Sequence, residues 1–329
     1  MNYLAKPLKI LVIFTLSITV FACSKSSNEK SENPVLKNSE GFIPVKGGNI
    51  WYGIMGNGDK TPLLCLHGGP GGTHRSYFNL SETAKERPVI MFDQLGTGRS
   101  DHHQDTALLK VDLLVEQVKA VKEHLNLNEF YLAGGSWGAA LALEYYTKYP
   151  EGIKGILFNS PYFSTKVWTQ DADILIGELP DSTQQAIRQA EKDSVFNTES
   201  YLAANDLFAS KHGRRKPLKK HAYDTIPFEW SEFIYNHMWG PSEFTATGTL
   251  KTYDNLESLK TVNVPVLFTT GQYDEARPET VQRFHEMVKG SLFVEIADAG
   301  HNTLNDNTEA MNKAIQEFIQ KQEKDEVHQ

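Results

Sequence analysis

The chain has 329 residues, 40% hydrophobic and 22% charged, with 33 Lys and Arg against 41 Asp and Glu, for a formal net charge of −8. This balance excludes a disordered chain, a collagen and a coiled-coil rod, and an acidic protein is a poor partner for a nucleic-acid backbone. The two cysteines, Cys23 and Cys65, exclude a disulfide scaffold and a Cys-rich zinc site.

Lys6 and Lys9 lead into an almost wholly apolar run, Ile10 to Ala22. A spanning helix needs roughly 20 such residues, and this run is shorter, so residues 1–22 are expected to be a signal peptide. Val20-Phe21-Ala22-Cys23, followed by a polar stretch, resembles the bacterial lipoprotein processing box, with Val20 where Leu is more usual. The resemblance implies cleavage before Cys23 and its acylation. The protein would then be exported and lipid-anchored in the cell envelope, facing the periplasm or the cell surface, and Cys65 would have no disulfide partner. Residues 23–39 are expected to form a flexible tether.

From about residue 40 apolar strands alternate with helices. The predicted strands are Phe42–Val45, Ile50–Ile54, Pro62–Leu66, Val89–Phe92, Phe130–Ala133, Ile153–Asn159, Pro265–Thr270 and Leu292–Ile296. Several are short apolar runs closed by Gly, Pro or Asp, as strands buried on both faces should be. Leu108–Leu125, Ala139–Lys148, Asp181–Lys192 and Ala310–Gln320 have helical spacing. The pattern predicts an α/β fold, a mostly parallel sheet with helices on both faces. The core would span 40–161 and 261–329. A strand-free stretch, 162–260, would form a helical cap over the C-terminal edge of the sheet.

Gly134-Gly135-Ser136-Trp137-Gly138 lies between a predicted strand and a predicted helix. A sharp turn there lifts a serine hydroxyl clear of the sheet, and the glycines make room for crowded backbone. A serine nucleophile needs a base, and the base needs an orienting acid. His301 follows the last predicted strand and Asp274 the one before it. The chain order Ser, Asp, His is that of an α/β-hydrolase. Asp298 is a rival acid, but it would have to fold back onto His301. His67-Gly68-Gly69-Pro70-Gly71-Gly72 follows a third strand, and its glycines let backbone N–H groups approach a substrate oxygen. The Gly69 and Trp137 amides are the expected oxyanion hole. His67 is expected to brace this loop. Neither a metal nor another cofactor is expected, since His285-Glu286 lacks the second His of a zinc-protease helix.

Together His67–Gly71, Asp93-Gln94-Leu95-Gly96-Thr97-Gly98-Arg99-Ser100 and Gly134–Gly138 resemble the proline iminopeptidases. These are α/β-hydrolase aminopeptidases that release an N-terminal residue, typically proline, from short peptides. The resemblance covers nearly the whole chain from about residue 40 and departs at Leu95, where the family often has Arg. Gly240-Pro241-Ser242-Glu243-Phe244-Thr245 resembles the family's cap segment whose Glu binds the peptide amino terminus. Glu275, directly after Asp274, matches a second such Glu. Two carboxylates suit a free α-ammonium, each gaining about 4 kcal/mol at about 4 Å and an effective dielectric of about 20, before desolvation.

The implied function is a serine aminopeptidase acting on short peptides with a free N-terminus. An esterase, lactonase or amidase with the same three residues is the alternative, and a binding protein on the same fold a third reading. The basic run Lys211, Arg214, Arg215, Lys216, Lys219 and Lys220 is expected to be a solvated face. Trp230 and Trp239 are candidates for an apolar pocket, with core packing as the default. The sequence carries no sign of oligomeric state.

Overall fold

The computed structural model describes residues 33–221 and 230–327. The expected signal peptide and Cys23 lie outside them. Among the described residues the strands are β1 (Ser39–Val45), β2 (Gly48–Met55), β3 (Leu63–Leu66), β4 (Val89–Phe92), β5 (Phe130–Gly135), β6 (Ile153–Asn159), β7 (Val266–Gly271) and β8 (Leu292–Ile296). All eight predicted strands are present, their ends displaced by three residues or fewer. The helices are α1 (Val111–His124), α2 (Trp137–Lys148), α3 (Thr165–Gly177), α4 (Asp181–Asp193), α5 (Glu199–Phe208), α6 (Glu232–Met238), α7 (Pro278–Met287), α8 (Thr303–Asp306) and α9 (Thr308–Val327).

One sheet holds all eight strands in the order β1-β2-β4-β3-β5-β6-β7-β8. β1, β2 and β4 pair antiparallel, and every other pairing is parallel. Successive side chains of a strand point to opposite faces, and both faces are covered. Leu64 and Leu66 of β3 enter one core with Phe130 and Leu132 of β5, where α1, α2 and α7 contribute Val118, Leu141 and Phe284. Leu63, Cys65, Tyr131 and Ala133 enter the other, which Met311, Ile315 and Phe318 of α9 cover. Hence the central strands read as unbroken apolar runs. Cys65 is a buried member of this second core, and burial pushes its thiol pKa up.

The chain between β6 and β7 carries α3 to α6 and no strand among the described residues. Ile176, Ile187, Tyr201, Phe208 and Phe244 of this stretch form a cluster of their own, while Phe163, Ile234, Met238 and Leu250 join the core that holds Leu64 and Phe130.

Three expectations need correction. Residues 33–38 of the expected tether are docked. The Asn33 side chain accepts hydrogen bonds from the Asn128 and Glu129 amides and donates to the Glu129 carbonyl at 2.7 Å. Leu36 is buried and bridges to Gly58. Helix α7 was not anticipated, although Pro278 at its first turn and buried Val281 and Phe284 are helix signals. Helix α9 runs past Gln320 to Val327, and its polar final turns carry Glu323. The Glu323 carboxylate takes both Arg87 guanidinium nitrogens at 2.8 and 3.2 Å. The Arg87 side chain is 1% exposed, and it also donates to the Thr61 carbonyl.

Glu323→Ala strips the carboxylate from this buried guanidinium and is expected to lower unfolding stability by about 3 kcal/mol. The readout is a lower urea midpoint at unchanged m-value, with exposed Lys321→Ala as control. A loss below about 0.5 kcal/mol would show that the pair contributes no more than a surface substitution.

Candidate active site

Parallel strands deliver their loops to one edge, and four of these loops carry expected site residues. Ser136 follows β5, the His67–Gly72 loop follows β3, Asp274 and Glu275 follow β7, and His301 follows β8. Glu243 arrives from the chain between β6 and β7.

Ser136 has φ 55° and ψ −123°, and α2 begins at the next residue. Its N–H donates to the Asn159 carbonyl of β6 at 3.0 Å. The turn is packed backbone against backbone. A Cβ at Gly134 would collide with the Gly138 carbonyl oxygen, and one at Gly138 with that of Leu66. The Trp137 amide lies in the first turn of α2, where an N–H has no intrahelical acceptor.

The loop after β3 comes equally close. A Cβ at Gly68 would lie 2.8 Å from the Gly135 oxygen and 2.9 Å from Ser136 Cβ. Gly69 has φ 122°. His67 braces the loop. Its Nε2 accepts the Gln94 amide proton at 2.9 Å, which places the ring proton on Nδ1, 2.9 Å from the Gly68 carbonyl. Burial pushes its pKa down, in keeping with a neutral ring.

Asp274 and His301 are joined, Oδ1 to Nδ1, at 2.8 Å. Asp274 is 1% exposed. Its Oδ1 also accepts the Ala276 amide, and its Oδ2 accepts from Ser160 Oγ at 2.6 Å, Thr270 Oγ1 at 3.1 Å and the Gly271 amide at 3.0 Å. Asp298 is exposed, and its amide is held by the Gln272 side chain. Sequence reasoning missed Ser160, which directly follows β6. Its φ of 46° marks a turn.

Glu243 and Glu275 line the same cavity as Ser136 and His301, a recess of about 280 Å³. Glu243 Oε2 accepts from Tyr235 OH at 2.8 Å. No described residue hydrogen-bonds to the Glu275 carboxylate, and the His301 Nδ1 stands 3.7 Å from it. Removal from solvent raises both pKa values, that of Glu275 to about 8, where Glu243 and Asp274 add to the rise and His301 opposes it. Burial works against a charged His301, but Asp274, Glu275 and Glu243 outweigh it and raise its pKa to about 9. The cavity wall is aromatic, with Tyr162, Trp168, Tyr235 and Trp239, and Trp168 stands edge-on to the His301 ring at 5.5 Å. Trp230 and Trp239 thus line a pocket rather than only a core. Tyr235 carried no sequence signal beyond its aromatic neighbours.

Residues 61–308 match the family model for the alpha/beta hydrolase fold. The chain is 36% identical over 283 residues to a proline iminopeptidase of Heyndrickxia coagulans, covering 85% of this chain and 98% of that protein. It is 35% identical to one of Lactobacillus acidophilus, covering 80% and 91%. The crystal structure of a proline iminopeptidase of Mycobacterium smegmatis superposes with a TM-score of 0.77 at 27% identity, over 86% of this chain and 98% of that one. By sequence and by fold, the chain belongs to the proline iminopeptidase family of α/β hydrolases.

Proposed function

We propose that the protein is a serine aminopeptidase that releases N-terminal proline from short peptides through an acyl-enzyme on Ser136. The observation that carries this reading is the pair Glu243 and Glu275. Two carboxylates share an aromatic recess with Ser136 and His301, and among the described residues only Tyr235 donates a hydrogen bond to either. Carboxylates so placed call for a cationic partner with N–H donors. A prolyl amino terminus is a secondary ammonium with two N–H bonds, one for each carboxylate. Its ring is apolar and suits the wall of Tyr162, Trp168 and Trp239.

In this mechanism Ser136 attacks the carbonyl carbon of the first residue. Asp274 occupies His301 Nδ1, so Nε2 takes the serine proton and passes it to the leaving amine. Asp274 stabilises the imidazolium that forms between the two transfers. The Gly69 and Trp137 amides stabilise the tetrahedral oxyanion. A water, deprotonated by His301, then releases the free residue. The cell-envelope location rests on residues 1–23 alone: export, cleavage before Cys23 and a lipid anchor.

Ser136→Ala is expected to abolish hydrolysis of prolyl-anilide, and Asp274→Asn to reduce kcat about 10⁴-fold in a folded protein. Retained activity in the first overturns the nucleophile, and an unchanged rate in the second overturns the orienting acid.

Glu243→Gln and Glu275→Gln are each expected to cut kcat/KM for prolyl-anilide about tenfold or more, with little effect on a simple ester lacking an α-amine. Equal losses on both substrates would remove the amine-binding role. Only neutral His301 accepts the serine proton. The wild-type kcat/KM should therefore fall as pH drops through about 9, the pKa of His301 in the free enzyme. A bound ammonium offsets the carboxylates that help hold that pKa up, so the acid limb of kcat should lie at lower pH. Coincident limbs would contradict amine capture by Glu243 and Glu275.

Intact mass of protein from the membrane fraction should show acylated Cys23 as the first residue. An unmodified Cys23, or a different first residue, overturns the anchor.

A further inference from the structure

The chain at the tip of β6 touches every segment that carries a member of the Ser136, Asp274 and His301 set. The Asn159 carbonyl accepts the Ser136 amide at 3.0 Å. Asn159 Oδ1 accepts from Thr269 Oγ1 of β7 and from Thr303 Oγ1, just past His301, each at 2.8 Å. Ser160 follows, fully buried and outside the lining of the recess. Its N–H donates to the Thr269 carbonyl at 2.7 Å, one residue beyond the last pair of β6 with β7. Ser160 Oγ lies 2.6 Å from Asp274 Oδ2 and 3.3 Å from the His301 carbonyl. A hydroxyl has one proton, and the shorter contact is to the charged acceptor.

The other donors to Asp274 are of a different kind. The Gly271 and Ala276 amides and the Thr270 hydroxyl belong to the turn that bears Asp274, so they move with it. Thr270 Oγ1 also lies 2.7 Å from the Ala276 carbonyl, closer than its 3.1 Å to Asp274 Oδ2, and divides its one proton between them. Among the described residues only Ser160 and His301 reach the carboxylate from other segments. His301 is the group being oriented, which leaves Ser160 as the external anchor. The His301 loop is gripped from its far side by the insertion. The His301 and Asn302 amides donate to the His212 and Gly213 carbonyls at 2.7 and 2.9 Å. Asp306 accepts the amides of Arg215 and Lys216, and Asn305 Oδ1 that of Lys219, so the basic run is docked through its main chain.

We propose that Ser160 is a positioning residue for Asp274: its hydroxyl ties the acid to the strand end that also holds the Ser136 amide, and so aligns acid and base with the nucleophile. The local donors hold the carboxylate within its own turn. Ser160 holds that turn against β6. This deepens the aminopeptidase reading and rests on its three catalytic residues, not on amine capture by Glu243 and Glu275.

The test measures kcat and KM for prolyl-anilide and for a simple ester in Ser160→Gly, Ser160→Ala, Asp274→Asn and the Asp274→Asn/Ser160→Gly double variant. The ester reports on the three residues whether or not amine recognition holds. Ser160 has φ 46°. Glycine adopts such a φ freely and alanine does not, so the two Ser160 variants differ in backbone strain and share only the loss of the hydroxyl. Both should lower kcat about tenfold or more, as loss of a hydrogen bond to a charged group requires, with KM within about twofold of wild type. In the Asp274→Asn background the same change should cost less than about threefold, because the carboxylate through which Ser160 acts is already gone. Wild-type kcat in Ser160→Gly, a loss carried by KM, or equal losses in both backgrounds overturns the positioning role. If Asp274→Asn is itself crippled, those results leave the orienting acid standing. An unchanged rate in Asp274→Asn overturns the acid and the inference together.

Discussion

Backbone crowding at the end of β5 governs the arrangement of the whole recess. Gly134, Gly138 and Gly68 have no room for a single further carbon, because carbonyl oxygens of neighbouring segments already fill the space. β5, the start of α2 and the loop after β3 therefore meet at van der Waals distance, with Ser136 held at a positive φ between them. A side chain that must stand clear of the sheet has few other places to do so. The parallel register does the rest. β7 and β8 pair in step from Leu267 with Leu292 to Gly271 with Ile296, and their loops leave together on the edge that Ser136 occupies. Asp274 and His301 meet because two strands end level.

The three carboxylates around His301 are not equivalent. Asp274 receives five hydrogen bonds, two from backbone amides beside its own turn, two from hydroxyls and one from the imidazole. Its position is over-determined and its charge is satisfied before any substrate arrives. Glu243 has one donor, a phenol, and Glu275 has none among the described residues. Withdrawal from water without compensating donors is what lifts their pKa values. The site thus holds one fixed negative charge and two that are stable only with company, which separates the group that orients the base from the groups offered to a ligand.

Legibility followed the range of the forces involved. The eight strands could be read because each is a local apolar run. Ser136, His67 and Gly69 could be read because tight turns need glycines next to them in sequence. Asp274 and His301 needed only the further rule that loops at one sheet edge converge. Glu243 lies in a segment with no strand or helix period around it, and a family resemblance found it where periodicity could not. Ser160, 114 positions from the carboxylate it serves, left no local trace beyond a turn. Nor did Tyr235, since an aromatic residue in a helix reads as core. The docked Asn33 and the ion pair of Arg87 with Glu323 are contacts between distant segments, visible only after folding.

The amides of His301 and Asn302 are held by carbonyls from the insertion between β6 and β7, not by the sheet that bears them. That insertion is therefore part of the mould in which the imidazole loop is cast, as well as the wall of the recess. Grafting this insertion from one relative to another is not a free exchange of roofs. Residues 212–219 and 300–306 form a single transplantable piece, and a chimera that moves one without the other separates the ring from its seat even when every residue of the sheet is kept.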